Sequence, residues 1–448
     1  MADLTEGKVG SLIFKFAIPM LLGNVFQQLY TIVNSVIVGH VLGKTALAAI
    51  GASFPIIFAL ISMIIGIATG FTIVIAQFYG AKDLEKVRKA IDTMYIFLFV
   101  ASISISILGI IFSENILRLT GLPEEVIPEA KIYLNVYLAG AIFLFGFNGT
   151  SSALRGLGDS KTPLYFLVIA NIVNIFLDLL FIVVFKMGVE GAALGTIISQ
   201  AGAFLTMIFY LNRKNELVKL YVRKLLFDRD IFNKSIKIGV PTGFQQTFVA
   251  LGMIALYGIV NKHGTDVIAA YSVASRLDSL ASLPAMNFGA ALSAFVGQNL
   301  GANKPDRVKS GLKATFLMTS VVSIIVTIVN VVFGRYIMAM FTDDANVISV
   351  GYQYLIIVSS FYIVFSTMFV IGGVMRGAGD TLIPMFITLF ALWVVRIPMA
   401  YFLADHMGVV GIWWAIPIGW LFGMCFSYIY YLTGRWKTKV VVKHAGTA

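Results

Sequence analysis

Twelve apolar runs, each long enough to cross a bilayer and nearly free of charge, follow one another along this chain. They fall at 11–39, 46–79, 86–112, 131–153, 162–185, 190–212, 232–261, 267–299, 310–334, 346–375, 382–404 and 409–434, and are numbered spans 1 to 12. About 20 apolar residues in a helix reach across the hydrocarbon core. In lipid every backbone polar group must be satisfied within the structure, so each run is expected to be a helix. A barrel would show strict alternation of apolar and polar residues, and these runs are continuous. A water-facing protein is excluded by charge: 12% of residues are charged, where a soluble domain carries about 25%. Span 1 is expected to stay in the mature chain, because it is long, carries Pro19 mid-run and lacks a small-residue cleavage pattern. The lone Cys425 allows neither a disulfide framework nor a thiolate metal site.

The net charge of +11 is a topology signal. With basic residues in the first two turns of a run counted with the adjoining loop, the loops that follow even-numbered spans and the two termini hold 25 Lys and Arg; the loops that follow odd-numbered spans hold 6. The basic side is the cytoplasmic side, so both termini are expected in the cytoplasm and the chain in the plasma membrane. No motif supports a nucleic-acid partner. The two remaining basic residues, Arg276 and Arg396, fall well inside spans, away from their ends.

The chain also repeats itself. "RGLGDSKTPL" at 155–164 answers "RGAGDTLIPM" at 376–385, an offset of 221. "AQFYGAKDLEKVRKA" at 76–90 answers "GQNLGANKPDRVKSG" at 297–311, with the same offset. Pro19 in span 1 answers Pro241 in span 7. The halves are taken as 1–220 and 221–448, six spans each. Six is even, so both halves enter the membrane in the same direction. The expected fold is therefore all-α, with twelve transmembrane helices in two six-helix lobes related by a pseudo-two-fold axis along the membrane normal.

Charge inside the spans points to function. Only Asp178 and Asp278 lie well inside apolar runs. An Asp at a helix centre costs about 2.5–3.5 kcal/mol on insertion scales, and such residues usually face a cavity or a partner. Asn171, Asn174 and Asp178 are spaced 3 and 4 apart and share one face of span 5. The matching stretch of the second half, near Leu392 to Met399, has no such stripe. Span 1 carries a polar stripe of its own: Asn24, Gln27, Thr31 and Asn34. Helix–helix hydrogen bonding explains Asn24 and Thr31 well enough, at roughly 0.6 kcal/mol per pair. A stripe confined to one half, with a carboxylate in it, suits an ion site better. In span 8, Arg276 and Asp278 are two apart and so on different faces, leaving Arg396 of span 11 as a second basic partner for Asp278. Met253, Tyr257, Tyr271, Met286 and Asn287 are candidates to line a broad amphipathic cavity, since Met and aromatic surfaces adapt to varied ligands. No Walker-type loop is present and the four His lack ligand spacing, so neither an enzyme nor an organic cofactor is expected.

With these residues in view, the chain resembles the multidrug and toxic compound extrusion (MATE) transporters along nearly its whole length. "QQLYTIVNSVIVGHVLG" in span 1, "RGLGDSKTP" after span 4, "FVGQNLGA" closing span 8 and "RGAGDTLIP" after span 10 carry the likeness, in order and in register. The resemblance implies two lobes around a central cavity, and export of cationic amphipathic compounds in exchange for H+ or Na+ by alternating access. It implies a coupling-ion site in the amino-terminal lobe at Asn174 and Asp178, which would also be the ligands of a sodium ion. Gln27, Asn148 and Thr196 match pocket positions there. Asn34 stands where many relatives carry Asp; it cannot titrate, so Asp178 is expected to carry more of the coupling. Asp278, Arg276 and Met286 are assigned to the substrate cavity in the other lobe. The expected partners are small organic cations and membrane lipid, and the expected state is a monomer. A flippase for a lipid-linked saccharide, of a related fold, is the alternative. A channel or receptor-like binding protein is a further rival.

Overall fold

Backbone groups that lie in hydrocarbon have only their own helix to bond with, and the twelve apolar runs are all helical. The computed structural model describes residues 2–119, 122–214 and 216–442; Lys443, which enters the charge tally, lies outside the described residues. The spans are Val9–Val41, Gly43–Gly80, Leu84–Leu119, the pair Ile127–Ala139 and Ala141–Gly156, Lys161–Val184, Gly188–Lys214, Arg229–Val260, Thr265–Gly301, Pro305–Ala339, the pair Ala345–Ser359 and Tyr362–Ala378, Leu382–Met407 and Val409–Leu432. Ten unbroken helices and two bent pairs thus account for the twelve runs among the described residues. Span 4 bends by 51° at Gly140, and span 10 bends by 47° at its own break. Spans 5 and 11 each widen into a π segment, Leu179–Val184 and Phe390–Arg396. Such segments often occur at functional sites. In span 5 the π segment begins directly after Asp178.

The chain packs as two compact units, Met1–Ala2 with Leu22–Gly243, and Asp3–Leu21 with Phe244–Ala448. The halves set by the repeat and the units set by packing differ in spans 1 and 7. The first part of span 1 packs with the second unit, and the first part of span 7 packs with the first. In both helices the change falls beside the proline, Pro19 or Pro241, that removes a backbone donor. The first unit buries a cluster that includes Val38, Leu117, Leu134, Ile182 and Val189. The second buries a cluster around Leu256, Tyr271, Tyr354, Val358 and Trp413 and another around Leu4, Phe295, Val374 and Met375.

Each unit repeats the same local devices. In the first, Gly158 N–H donates to the Arg155 carbonyl (3.0 Å) and Asp159 N–H to the Leu154 carbonyl (2.8 Å). In the second, Gly379 and Asp380 do the same to Arg376 and Met375, at 2.8 and 2.9 Å. Gly158 and Gly379 have φ of 80° and 94°, the left-handed region that a side chain disfavours. The repeated decapeptide is thus one helix-ending turn used twice. Asp159 then caps the next helix, accepting from the Lys161 and Thr162 N–H groups at 3.0 Å each. Asp380 is used differently: it accepts from the Tyr430 hydroxyl at 2.6 Å. Close backbone approach recurs too. Gly156 faces the Thr72 carbonyl and Gly377 the Ser293 carbonyl, at separations that leave no room for a Cβ.

Candidate ion and substrate sites

In the first unit, spans 1, 5 and 6 bring one polar cluster together. Asp178 is fully buried. Its Oδ1 accepts from Asn174 Nδ2 at 3.0 Å, one helical turn back along span 5. The Asn174 Oδ1 accepts from the Tyr30 hydroxyl of span 1. The Tyr30 oxygen in turn accepts from Asn34 Nδ2 at 2.9 Å. The Thr196 hydroxyl of span 6 lies against Tyr30 as well. One turn earlier on each helix, Asn171 Nδ2 donates to Gln27 Oε1 at 3.4 Å. Gly195 makes the fit possible: a Cβ there would strike Asp178 Oδ1 and stand 3.1 Å from Asn174 Nδ2. The stacked pair Tyr133 and Tyr137, from the first part of span 4, sits beside this cluster with ring centroids 6.2 Å apart.

What this cluster lacks is a counter-charge. Among the described residues no Lys, Arg or His nitrogen lies within 4.0 Å of the Asp178 carboxylate. Its second oxygen, Oδ2, is buried and without a hydrogen-bond partner. A carboxylate so placed has one amide donor and an open side. A buried carboxylate without a counter-charge is costly unless its charge is neutralised or shared.

In the second unit, Asp278 is held by two tyrosines. Tyr362 donates to its Oδ1 at 2.7 Å and Tyr354 to its Oδ2 at 3.3 Å. Arg396 is the basic residue that acts on it electrostatically, yet no ion pair within 4.0 Å joins them among the described residues. The Arg396 Nε is buried without a partner, and Gly419 leaves the space in which its side chain lies. Arg276 is exposed and makes no pair with Asp278. Around them stands an aromatic shell. Tyr271 stacks on Trp413 at 5.6 Å, and Tyr257 meets Tyr271 edge-on at 4.7 Å. Aromatic faces beside an acid suit an organic cation.

The structure therefore brings Asn34, Asn174, Asp178, Gln27 and Thr196 to one place, and gathers Asp278 with tyrosines in another. Asn148 does not join the first cluster: its Nδ2 donates to the Leu144 carbonyl of its own helix at 2.9 Å. Thr31 likewise bonds back to the Gln27 carbonyl and is exposed. Met286 is partly exposed on span 8, as Met253 is on span 7. Tyr30 was invisible as a site residue because a tyrosine in an apolar run looks like packing. Its signal was register: Gln27, Tyr30 and Asn34 are 3 and 4 apart, the same spacing as Asn171, Asn174 and Asp178.

Twelve spans in two compact units, with shared turns and carboxylates set inside spans, define a polytopic membrane protein built from an internal repeat. Both halves match the MatE family model, over residues 19–180 and 241–402, and the chain belongs to that family of membrane transporters. It is 35% identical to the probable multidrug resistance protein YpnP of Bacillus subtilis, over 97% of each chain. It is 32% identical to the probable multidrug resistance protein YoeA of the same organism, over 96% of this chain and 94% of that one. Its fold matches the outward-facing structure of a multidrug resistance MATE family transporter of the MOP superfamily with a TM-score of 0.91, over 97% of this chain and 98% of that one. At 23% identity that likeness speaks to the fold alone. The lipid-linked saccharide flippase gains no support from these likenesses.

Proposed function

We propose that this protein is a plasma-membrane exporter of cationic amphipathic compounds, driven by inward movement of H+ or Na+ through alternating access. The observation that carries the coupling is the state of Asp178: fully buried, held by Asn174 and lacking any partner on Oδ2. A bound ion supplies what that oxygen lacks. Asn34 brings no titratable group, so the exchange falls to Asp178. A proton would sit on the carboxylate itself. A sodium ion would take oxygens from Asp178 and Asn174, with the Tyr30 and Thr196 hydroxyls close by. Neutralising the charge weakens the pull on Asn174 and so on the Asn174–Tyr30–Asn34 chain that ties span 5 to span 1. That linkage lets ion binding bias the packing of span 1.

Substrate recognition would fall to Asp278 and its aromatic neighbours in the second unit, with Met286 and Met253 as adaptable apolar lining. The relatives' description as multidrug resistance proteins supports this substrate class. The test is efflux of a fluorescent organic cation from proteoliposomes, under an imposed pH gradient and an imposed sodium gradient separately. Uphill transport under one gradient and not the other names the ion. Substrate movement that ignores both gradients would refute ion coupling.

A further inference from the structure

The connector between the two halves, with the helix ends that flank it, carries eight Lys and Arg from Arg213 to Lys237, more than any other connection. Charge bias accounts for the side of the membrane on which they lie. It leaves unexplained the apolar residues set among them. Tyr221, Val222, Leu226 and Phe227 are exposed by 39%, 73%, 61% and 50%. Arg223 and Lys224 stand in the middle of that stretch and are exposed too.

The segment is pinned at a defined height. Arg88 of span 3 donates to the Glu216 and Leu217 carbonyls at 3.3 and 3.4 Å. Five residues further along span 3, the Thr93 hydroxyl accepts from the Asp228 N–H at 3.0 Å. The Phe227 ring meets Phe232, which meets Phe97, with centroids 5.3 and 5.5 Å apart. Span 3 begins at Leu84, so Thr93 lies about 13 Å up the helix. From Met94 to Ser113 that helix carries no charge. The connector therefore runs along span 3 where the helix passes from charged to apolar, which is headgroup depth. Its acids are mostly committed: Glu216 pairs with Lys219 at 2.9 Å and Asp230 with Lys234 at 2.5 Å. Arg223, Lys224 and Arg229 make no ion pair among the described residues.

We propose that residues 216–229 form a headgroup-level anchor that binds the anionic phospholipids of the cytoplasmic leaflet. Val222, Leu226 and Phe227 enter the acyl boundary, and Arg223, Lys224 and Arg229 meet the phosphates. The proposal rests on the charge-bias topology and is independent of the transport cycle.

The test is a depth measurement. With Cys425→Ser as background, a spin label at Val222→Cys reports its access to oxygen against a water-soluble relaxant, and a label at the exposed Glu85→Cys gives the aqueous reference. In vesicles with about a third phosphatidylglycerol, the label at 222 should be shielded from the water-soluble relaxant. Adding Arg223→Gln and Lys224→Gln should lower the ratio of shielded to water-exposed label at 222 in these anionic vesicles by roughly thirtyfold, about fivefold per cation. A label at 222 as water-exposed as the one at 85 overturns the proposal. So does insertion to equal depth in pure phosphatidylcholine, which would leave the cations without a lipid partner.

Discussion

Replacing Asp178 by Asn changes charge while keeping shape. Asn retains an oxygen to accept from Asn174 Nδ2, so the 3.0 Å bond survives. It removes a charge whose second oxygen has no partner. A charged Asp at a helix centre costs about 2.5–3.5 kcal/mol on insertion scales, so Asp178→Asn should fold and melt no lower than the wild type. Transport energetics should change fully. In the proposed mechanism one carboxylate exchanges one monovalent ion for one monovalent organic cation, a swap that moves no net charge. A tenfold ion gradient is then worth about 1.4 kcal/mol and sustains a substrate ratio of about ten across the membrane. In Asp178→Asn that ratio should collapse to about one, while binding of the fluorescent cation to detergent-solubilised protein persists. The assay is steady-state accumulation in proteoliposomes under a clamped tenfold gradient, with membrane potential held at zero. Tenfold accumulation by the variant would refute the coupling role and move it to Asp278.

Tyr30→Phe removes the hydroxyl that joins Asn34 to Asn174; losing a net hydrogen bond of about 1 kcal/mol should raise the half-saturating ion concentration about fivefold, read from efflux rate against ion concentration. Gly195→Ala drives a methyl into Asp178 Oδ1 and towards Asn174; ion affinity should fall by about 10–100-fold, the range seen when a ligand's supporting contacts are lost, with little change in substrate binding by equilibrium dialysis. Asp278→Asn removes the charge held by Tyr354 and Tyr362 and should weaken a cationic drug at least tenfold more than a neutral dye of similar size. Equal loss for both ligands would mean that Asp278 only braces its unit.

Much of this protein is written locally. Twelve apolar runs had to be helices, because lipid offers the backbone no other partner. The turn at Gly158 and Gly379 was legible as a repeat, because a φ of 80° or 94° favours glycine in both places. Asn174 and Asp178 could be placed on one face from their spacing alone. What spacing leaves open is which face meets which across helices. That depends on the rotation and closeness of each pair; the spacing of Gly191 and Gly195 marks a close-packing face, and only packing shows that Gly195 meets Asp178. Packing made Tyr30 the bridge between Asn34 and Asn174, and turned Asn148 back onto its own helix. Packing also gave Asp278 two tyrosine hydroxyls while Arg396 stayed beyond ion-pair distance. The division of spans 1 and 7 between the two units was likewise decided by contacts far apart in sequence, since each helix reads as one unbroken apolar run until its neighbours are in place.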